Sequence, residues 1–195
     1  MNKKIAFTGD QHYYHTNILT LCNRPFDNII DHNDILINNH NTVAYDDSWE
    51  MWFLGDLALK CSARQVAEIL AQLNGKLNIL IGNHDKPLRQ AWRNGLLDKM
   101  IKSGKVKIIG TEDRTEIVAK LLKIDHRTFI LSHYAYRTWP NSFRNSIHLF
   151  GHSHNNLASY YRSFDMGVDA NEYFPVLIEQ VIARADAIDQ NFSEK

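Results

Sequence analysis

Five short apolar runs of strand character punctuate the chain, each closed by a Gly or Ser and followed at once by residues that bind metals or protons. Lys4-Ile5-Ala6-Phe7-Thr8-Gly9 leads to Asp10 and His12, and Glu50-Met51-Trp52-Phe53-Leu54-Gly55 leads to Asp56. Leu77-Asn78-Ile79-Leu80-Ile81-Gly82 leads to Asn83, His84 and Asp85. Thr128-Phe129-Ile130-Leu131-Ser132 precedes His133, and Ile147-His148-Leu149-Phe150-Gly151 precedes His152 and His154. Between the early runs the apolar spacing turns helical. Ser62 is placed to cap a segment whose Val66, Ile69, Leu70 and Leu73 share one face, and Gly75 to end it, which gives a strand-helix-strand unit. A second helix is expected from about Asp34 to Tyr45, and a third from about Leu88 to Lys102, weakened by Gly95. The later half predicts strands at Val106 to Ile109, Glu116 to Ile124 and Arg127 to Leu131, close enough in sequence to pair antiparallel. A helix from about Ile178 to Ile188 closes the chain before a short polar tail.

In open α/β sheets, ligands bind beyond the carboxyl ends of the strands, where loops project functional groups into a shared crevice. Five such ends can converge on one site. The length of 195 residues, with 44% apolar and 11% aromatic content, suits one domain over 1–195 with a core of its own. The apolar stretch after Met1-Asn2-Lys3-Lys4 breaks at Asp10, unlike a signal peptide, and no run reaches the length of a membrane span; the expectation is a soluble, cytoplasmic protein without a membrane partner. Cys22 and Cys61 belong to no paired-cysteine motif, which argues against a disulfide framework or a zinc knuckle. The balance of 22 basic against 22 acidic residues gives no general attraction to nucleic acid, so electrostatic specificity must be local. Between Asp125 and Asp165 there is no acidic residue, while Arg127, Arg137, Arg144 and Arg162 and five of the ten histidines fall there, a segment suited to an anion.

A carboxylate can bridge two divalent cations, and imidazoles and an amide oxygen can fill further positions while leaving room for water and substrate. Each piece alone is ordinary: a Gly-Asp pair is usually a strand end with a turn, and Gly-His-Ser-His can be an exposed loop. Their recurrence at five strand ends is not. The order Asp-x-His, Gly-Asp, Gly-Asn-His-Asp, Ser-His and Gly-His-x-His resembles the calcineurin-like metallophosphoesterase superfamily from Asp10 to His154. The stretches Cys22-Asn23-Arg24-Pro25-Phe26 and Gly167-Val168-Asp169 resemble a small bacterial and phage branch of it. The resemblance implies an α/β fold of four layers, with two mixed β-sheets face to face and helices outside. It implies that Asp10, His12, Asp56 and His154 hold one metal and Asp56, Asn83, His133 and His152 the other, with Asp56 the bridge. It further implies a catalytic His84 near the leaving group, whose tautomer Asp85 could fix, and a hydroxide shared by the two cations as the attacking group. The mixed nitrogen and oxygen donors favour two divalent ions of borderline character, manganese first, with iron, zinc, cobalt or nickel as alternatives.

The expected substrate is a small phosphorylated, nucleotide-like diester or monoester. A nuclease acting on DNA or RNA would want a broader basic surface, and a catalytically silent binding scaffold would have little use for His84. Arg137, four residues after His133, is a candidate clamp on phosphate, with an ordinary exposed loop arginine as the competing reading. His15 follows His12 closely enough to point toward substrate. Tyr134, Tyr136, Trp139 and Phe143 crowd the loop after His133, where they can stack on a nucleobase or simply pack. His32, His40, His126 and His148 fall outside the blocks and read as surface or satisfied core histidines. Neither Gly75-Lys76-Leu77 nor Gly104-Lys105-Val106 makes a phosphate-binding loop of the nucleoside-triphosphatase kind. Oligomeric state is open.

Overall fold

A computed structural model describes residues 4–111 and 118–193, with side chains through residue 188. The strands are β1 (Ile5–Thr8), β2 (Glu50–Phe53), β3 (Lys76–Leu80), β4 (Val106–Ile109), β5 (Ala119–Ile124), β6 (Arg127–Ser132), β7 (Ile147–Phe150), β8 (Ser163–Asp165) and β9 (Val176–Leu177). The helices are α1 (Asn17–Leu21), α2 (Ile29–Val43), α3 (Ala63–Gln72), α4 (Lys86–Arg93), α5 (Asp98–Lys102) and α6 (Ile178–Ser193). One sheet has the order β4-β3-β2-β1-β9, parallel except for β9; the other has the order β5-β6-β7-β8, parallel except for β5. Both are therefore mixed.

The two sheets pack as a sandwich because their strands are apolar on the faces that meet. Ile5, Phe7, Trp52, Leu54 and Leu80 from the first sheet form one cluster with Phe129, Leu131, Ile147, Leu149 and Phe164 from the second, closed by Val181 and Ala185 of α6. The alternate residues Ala6, Met51, Phe53, Leu77 and Ile79 pack instead against Leu36, Val66, Ile69, Leu70 and Leu88 of α2, α3 and α4. Burial on both faces is why these strands read as unbroken apolar runs. Helices thus lie outside the first sheet. On the outer face of the second, buried His148 is covered by the rings of Tyr136 and Trp139 from the loop after β6.

Other local differences have identifiable causes. α3 forms as predicted, with Ser62 and Gln65 making a reciprocal capping box. α2 begins at Ile29, earlier than Asp34, because the Asn28 side chain accepts from the amides of Ile30 and Asp31. The helix expected over 88–102 is two, α4 and α5, broken where Gly95 turns at φ +69°. β4 pairs in parallel with β3 and not with β5, which it was expected to join. The expected start of that second strand at Glu116 lies outside the described residues. Among the described residues, no helix is long and apolar enough to cross a membrane.

Candidate metal centre

The carboxyl ends of β1, β2, β3, β6 and β7 point their following loops at one place. The loops after β1 and β2 run side by side, with Asp10 N–H donating to the Gly55 carbonyl at 3.0 Å, His12 N–H to the Asp56 carbonyl at 3.0 Å and Tyr13 N–H to the Leu57 carbonyl at 2.9 Å. Such proximity needs glycine. Gly55 sits at φ +97°, and a Cβ there would come within 2.5 Å of His133 Nδ1, while one on Gly82 would overlap Asp56 Oδ1. Five of the seven expected ligands occupy the left-handed backbone region: Asp10 (φ 58°), His12 (51°), Asp56 (55°), His152 (66°) and His154 (47°). Non-glycine residues rarely go there, and such strain concentrates at functional sites.

The side chains gather into two groups whose ligand atoms lie within 4.8 Å of one another: Asp10, His12 and His154, and Asp56, His133 and His152. Asn83 joins the second group, with its Oδ1 2.8 Å from His133 Nε2. Asp56 Oδ2 reaches both, at 3.6 Å from His12 Nε2 and 3.4 Å from His133 Nε2. The imidazoles are oriented from behind. His133 Nδ1 donates to the Leu54 carbonyl at 2.8 Å and His154 Nδ1 to Asp169 Oδ2 at 2.7 Å, so each turns Nε2 toward the cluster. Asp10 Oδ2 accepts from His152 N–H at 2.7 Å and Asp56 Oδ1 from His84 N–H at 2.8 Å, leaving the other oxygen of each inward.

Those inward atoms are the test of fit. Asp10 Oδ1, Asp56 Oδ2 and both ring nitrogens of His12 are buried without a hydrogen-bond partner among the described residues. Buried polar groups are nearly always satisfied, and a shared cation would satisfy this set. The electrostatics agree. Burial pushes the Asp10 carboxyl up to about 7, a penalty that a cation would offset, and holds His12 down to about 2, in the neutral form that ligates metals. Burial opposes charge on His133 too, yet the Asp56 carboxylate, 3.4 Å from its Nε2, pushes it up to about 9. The donors fit divalent metals: imidazole, carboxylate and amide oxygen, with no thiolate.

His84 is exposed at the mouth, its ring 5.6 Å from that of His12, and His15 packs beside His12 at 5.3 Å, buried with Nδ1 unpartnered among the described residues. Asp85 departs from its expected role. Its carboxylate does not serve His84; it accepts from the amides of Asp56 at 2.9 Å, Leu57 at 2.8 Å and Gly82 at 2.7 Å, tying the loops after β2 and β3 together. It is a buried strut. Arg137 is exposed and lines a cavity formed partly by the loop after His133. Of the other arginines in the acid-free segment, Arg127 pairs with Asp186 and Arg162 is buried, donating to the Asn145 carbonyl; both serve structure.

The reading of residue types missed a support layer. The fully buried Arg24 donates to both oxygens of Asp169 at 2.8 and 2.7 Å, to the Asp10 carbonyl at 2.7 Å and to the Gln11 carbonyl at 2.9 Å. His32 and Asn33 extend it, with His32 Nε2 2.8 Å from Arg24. Cys22, His154 and Asp169 also lie within ligand distance of one another. Burial and the Asp169 charge push the Cys22 thiol up to about 11, and both Asp169 oxygens are engaged, so this grouping belongs to the support. The signal was present in the Cys22 to Phe26 and Gly167 to Asp169 stretches, which were matched without a role.

The fold and the donor set define an α/β two-sheet sandwich with clusters able to hold metal ions. Its backbone is similar to that of a protein of unknown function from Aquifex aeolicus, with a TM-score of 0.62 at 18% identity over 92% of this chain and 98% of that one, a likeness of fold alone. Yfce, a phosphoesterase from E. coli, aligns at a TM-score of 0.45 with 12% identity over 84% and 77% of the two chains, too distant to bear on function. In sequence, the chain is 45% identical over 85 residues to an uncharacterized protein of Methanocaldococcus jannaschii; the match covers 43% of this chain and about half, 48%, of the relative. No family model matches.

Proposed function

We propose that the protein is a dinuclear metal-dependent hydrolase of phosphate esters, a diesterase or monoesterase of small phosphorylated molecules. The observation that carries this reading is the pair of ligand groups sharing Asp56, with buried carboxylate and imidazole atoms turned inward and unpartnered. The order of the motifs, which resembles the calcineurin-like metallophosphoesterase superfamily, supports it. Bound divalent cations would supply the Lewis acidity that draws charge from phosphate oxygens, with manganese, iron, zinc, cobalt or nickel suited to these donors.

The chain's own residues do the rest. Asp10, His12 and His154 would hold one cation, and Asn83, His133 and His152 the other, with Asp56 between them. Leu54 O and Asp169 fix the tautomers of His133 and His154. His84, exposed at the mouth and anchored through its backbone N–H to Asp56, is placed to hold a proton for the departing ester oxygen. The test is hydrolysis of a chromogenic phosphodiester and its monoester by metal-stripped protein, with manganese, zinc or magnesium restored and Asp56→Ala as control. Turnover that needs metal and is lost in the variant is expected. No turnover by a protein shown to bind two ions would overturn the reading.

A further inference from the structure

The loops after β6 and β7 border an open cavity of about 480 Å³ lined by Tyr136, Arg137, Phe150, Leu157, Tyr160 and Ser163, among others. Chain connectivity keeps two of its wall residues near the metal centre. Ala135, also in its wall, is two residues from His133, and Leu157 is three from His154, so their Cα atoms lie within about 8 and 11 Å of those of the ligands. The volume is that of a small-molecule pocket.

Its chemistry selects among occupants. Three aromatic rings form walls, the Arg137 guanidinium and the phenol hydroxyls of Tyr136 and Tyr160 offer donors, and no carboxylate is among its lining residues. The Tyr136 ring is held flat, parallel to His148 within 2° at 5.2 Å, and His148 is itself fixed by the hydroxyls of Ser132 and Ser163 at 2.8 Å each. A rigid flat wall with few polar groups suits neither a sugar, which needs many hydrogen bonds, nor a branched aliphatic group. It suits a planar heterocycle carrying acceptors, which aromatic faces stack and an arginine can meet. We propose that this cavity takes the base of a nucleotide whose phosphate lies on the ligand cluster, which rests on the phosphoesterase reading and makes a nucleotide ester the substrate class.

The experiment compares two diesters with one chromogenic leaving group, the p-nitrophenyl ester of thymidine 5′-monophosphate and p-nitrophenyl methyl phosphate. The wild-type protein should prefer the nucleoside ester at least about tenfold in kcat/KM, from base stacking. Tyr136→Ala and Ala158→Trp, the second filling the cavity, should bring that ratio toward one. A variant that folds poorly lowers both rates and leaves the ratio alone, so loss of folding cannot mimic the result. A wild-type ratio near one, or a high ratio untouched by both variants, would overturn the proposal. If neither ester is turned over, the phosphoesterase reading fails on its own, and calorimetric titration of the manganese-loaded protein with thymidine 5′-monophosphate decides the pocket. Binding at least tenfold weaker in the variants supports it; equal binding, or none by wild type, refutes it.

Discussion

Replacing Asp169 by Asn keeps the size of the side chain and removes its charge. Asp169 accepts three hydrogen bonds, two from Arg24 and one from His154, using both oxygens. An amide has one oxygen, so whichever way it turns, its NH2 opposes an Arg24 or His154 N–H. The buried guanidinium also loses its counter-charge. Removing one member of a buried ion pair costs about 3–5 kcal/mol, and the remaining bonds of Arg24 to the Asp10 and Gln11 carbonyls argue for the lower end. Urea unfolding of the metal-free protein, followed by tryptophan fluorescence, measures this: at a slope of about 2–3 kcal/mol per molar, the midpoint should fall by at least about 1 M. Loosening His154 should weaken metal binding about 10- to 100-fold, read by competition with a chromogenic chelator. Adding Arg24→Met should recover part of the stability, because the cost is the uncompensated charge. A wild-type midpoint and metal affinity in Asp169→Asn would refute this account of the support layer.

Gly82→Ala drives a methyl into Asp56 and should cost about 1–3 kcal/mol while abolishing tight metal binding; a variant with normal metal content would show that the loop yields. His84→Ala should retain both metals and lose about two or more orders of magnitude in turnover, and normal rates would remove it from the mechanism. Burial holds His40, which donates to the Asn74 carbonyl, down to about 4 from 6.5, so between these values the unfolded chain binds the extra proton. Its stability is fully present above pH 6.5 and drains as pH falls toward 4. Thermal unfolding should therefore show wild type losing up to about 1.4 kcal/mol per pH unit more than His40→Phe between pH 6.5 and 4, whereas parallel profiles would contradict the shift.

The strand ends were legible because parallel strands buried on both faces leave continuous apolar runs, and because the residue after such a run can be read for its chemistry. Asp10, Asp56, Asn83, His133 and His152 come together on that logic. Pairing of strands was not legible: β4 lies nearer in sequence to β5, yet the β3 edge next to it offers a parallel partner. β8 and β9, at three and two residues, are too short to carry a period. Asp85 looked like a partner for His84 by adjacency. Its side chain instead serves amides from three loop positions, a use that depends on tertiary approach. Arg24 and Asp169 are 145 residues apart; the stretches that hold them stood out, but their pairing depends on tertiary approach.

The left-handed backbone at the ligand positions bears on how such a protein changes over generations. His152 holds φ 66° while exposed, a conformation that costs a side-chain-bearing residue about 1–2 kcal/mol and glycine almost nothing. A lineage that no longer needed the cation would find the substitution of His152 by glycine stabilising, and would keep the sandwich while losing the centre. Under the proposed function, selection for chemistry holds these positions against a standing thermodynamic pull toward a quieter and sturdier fold.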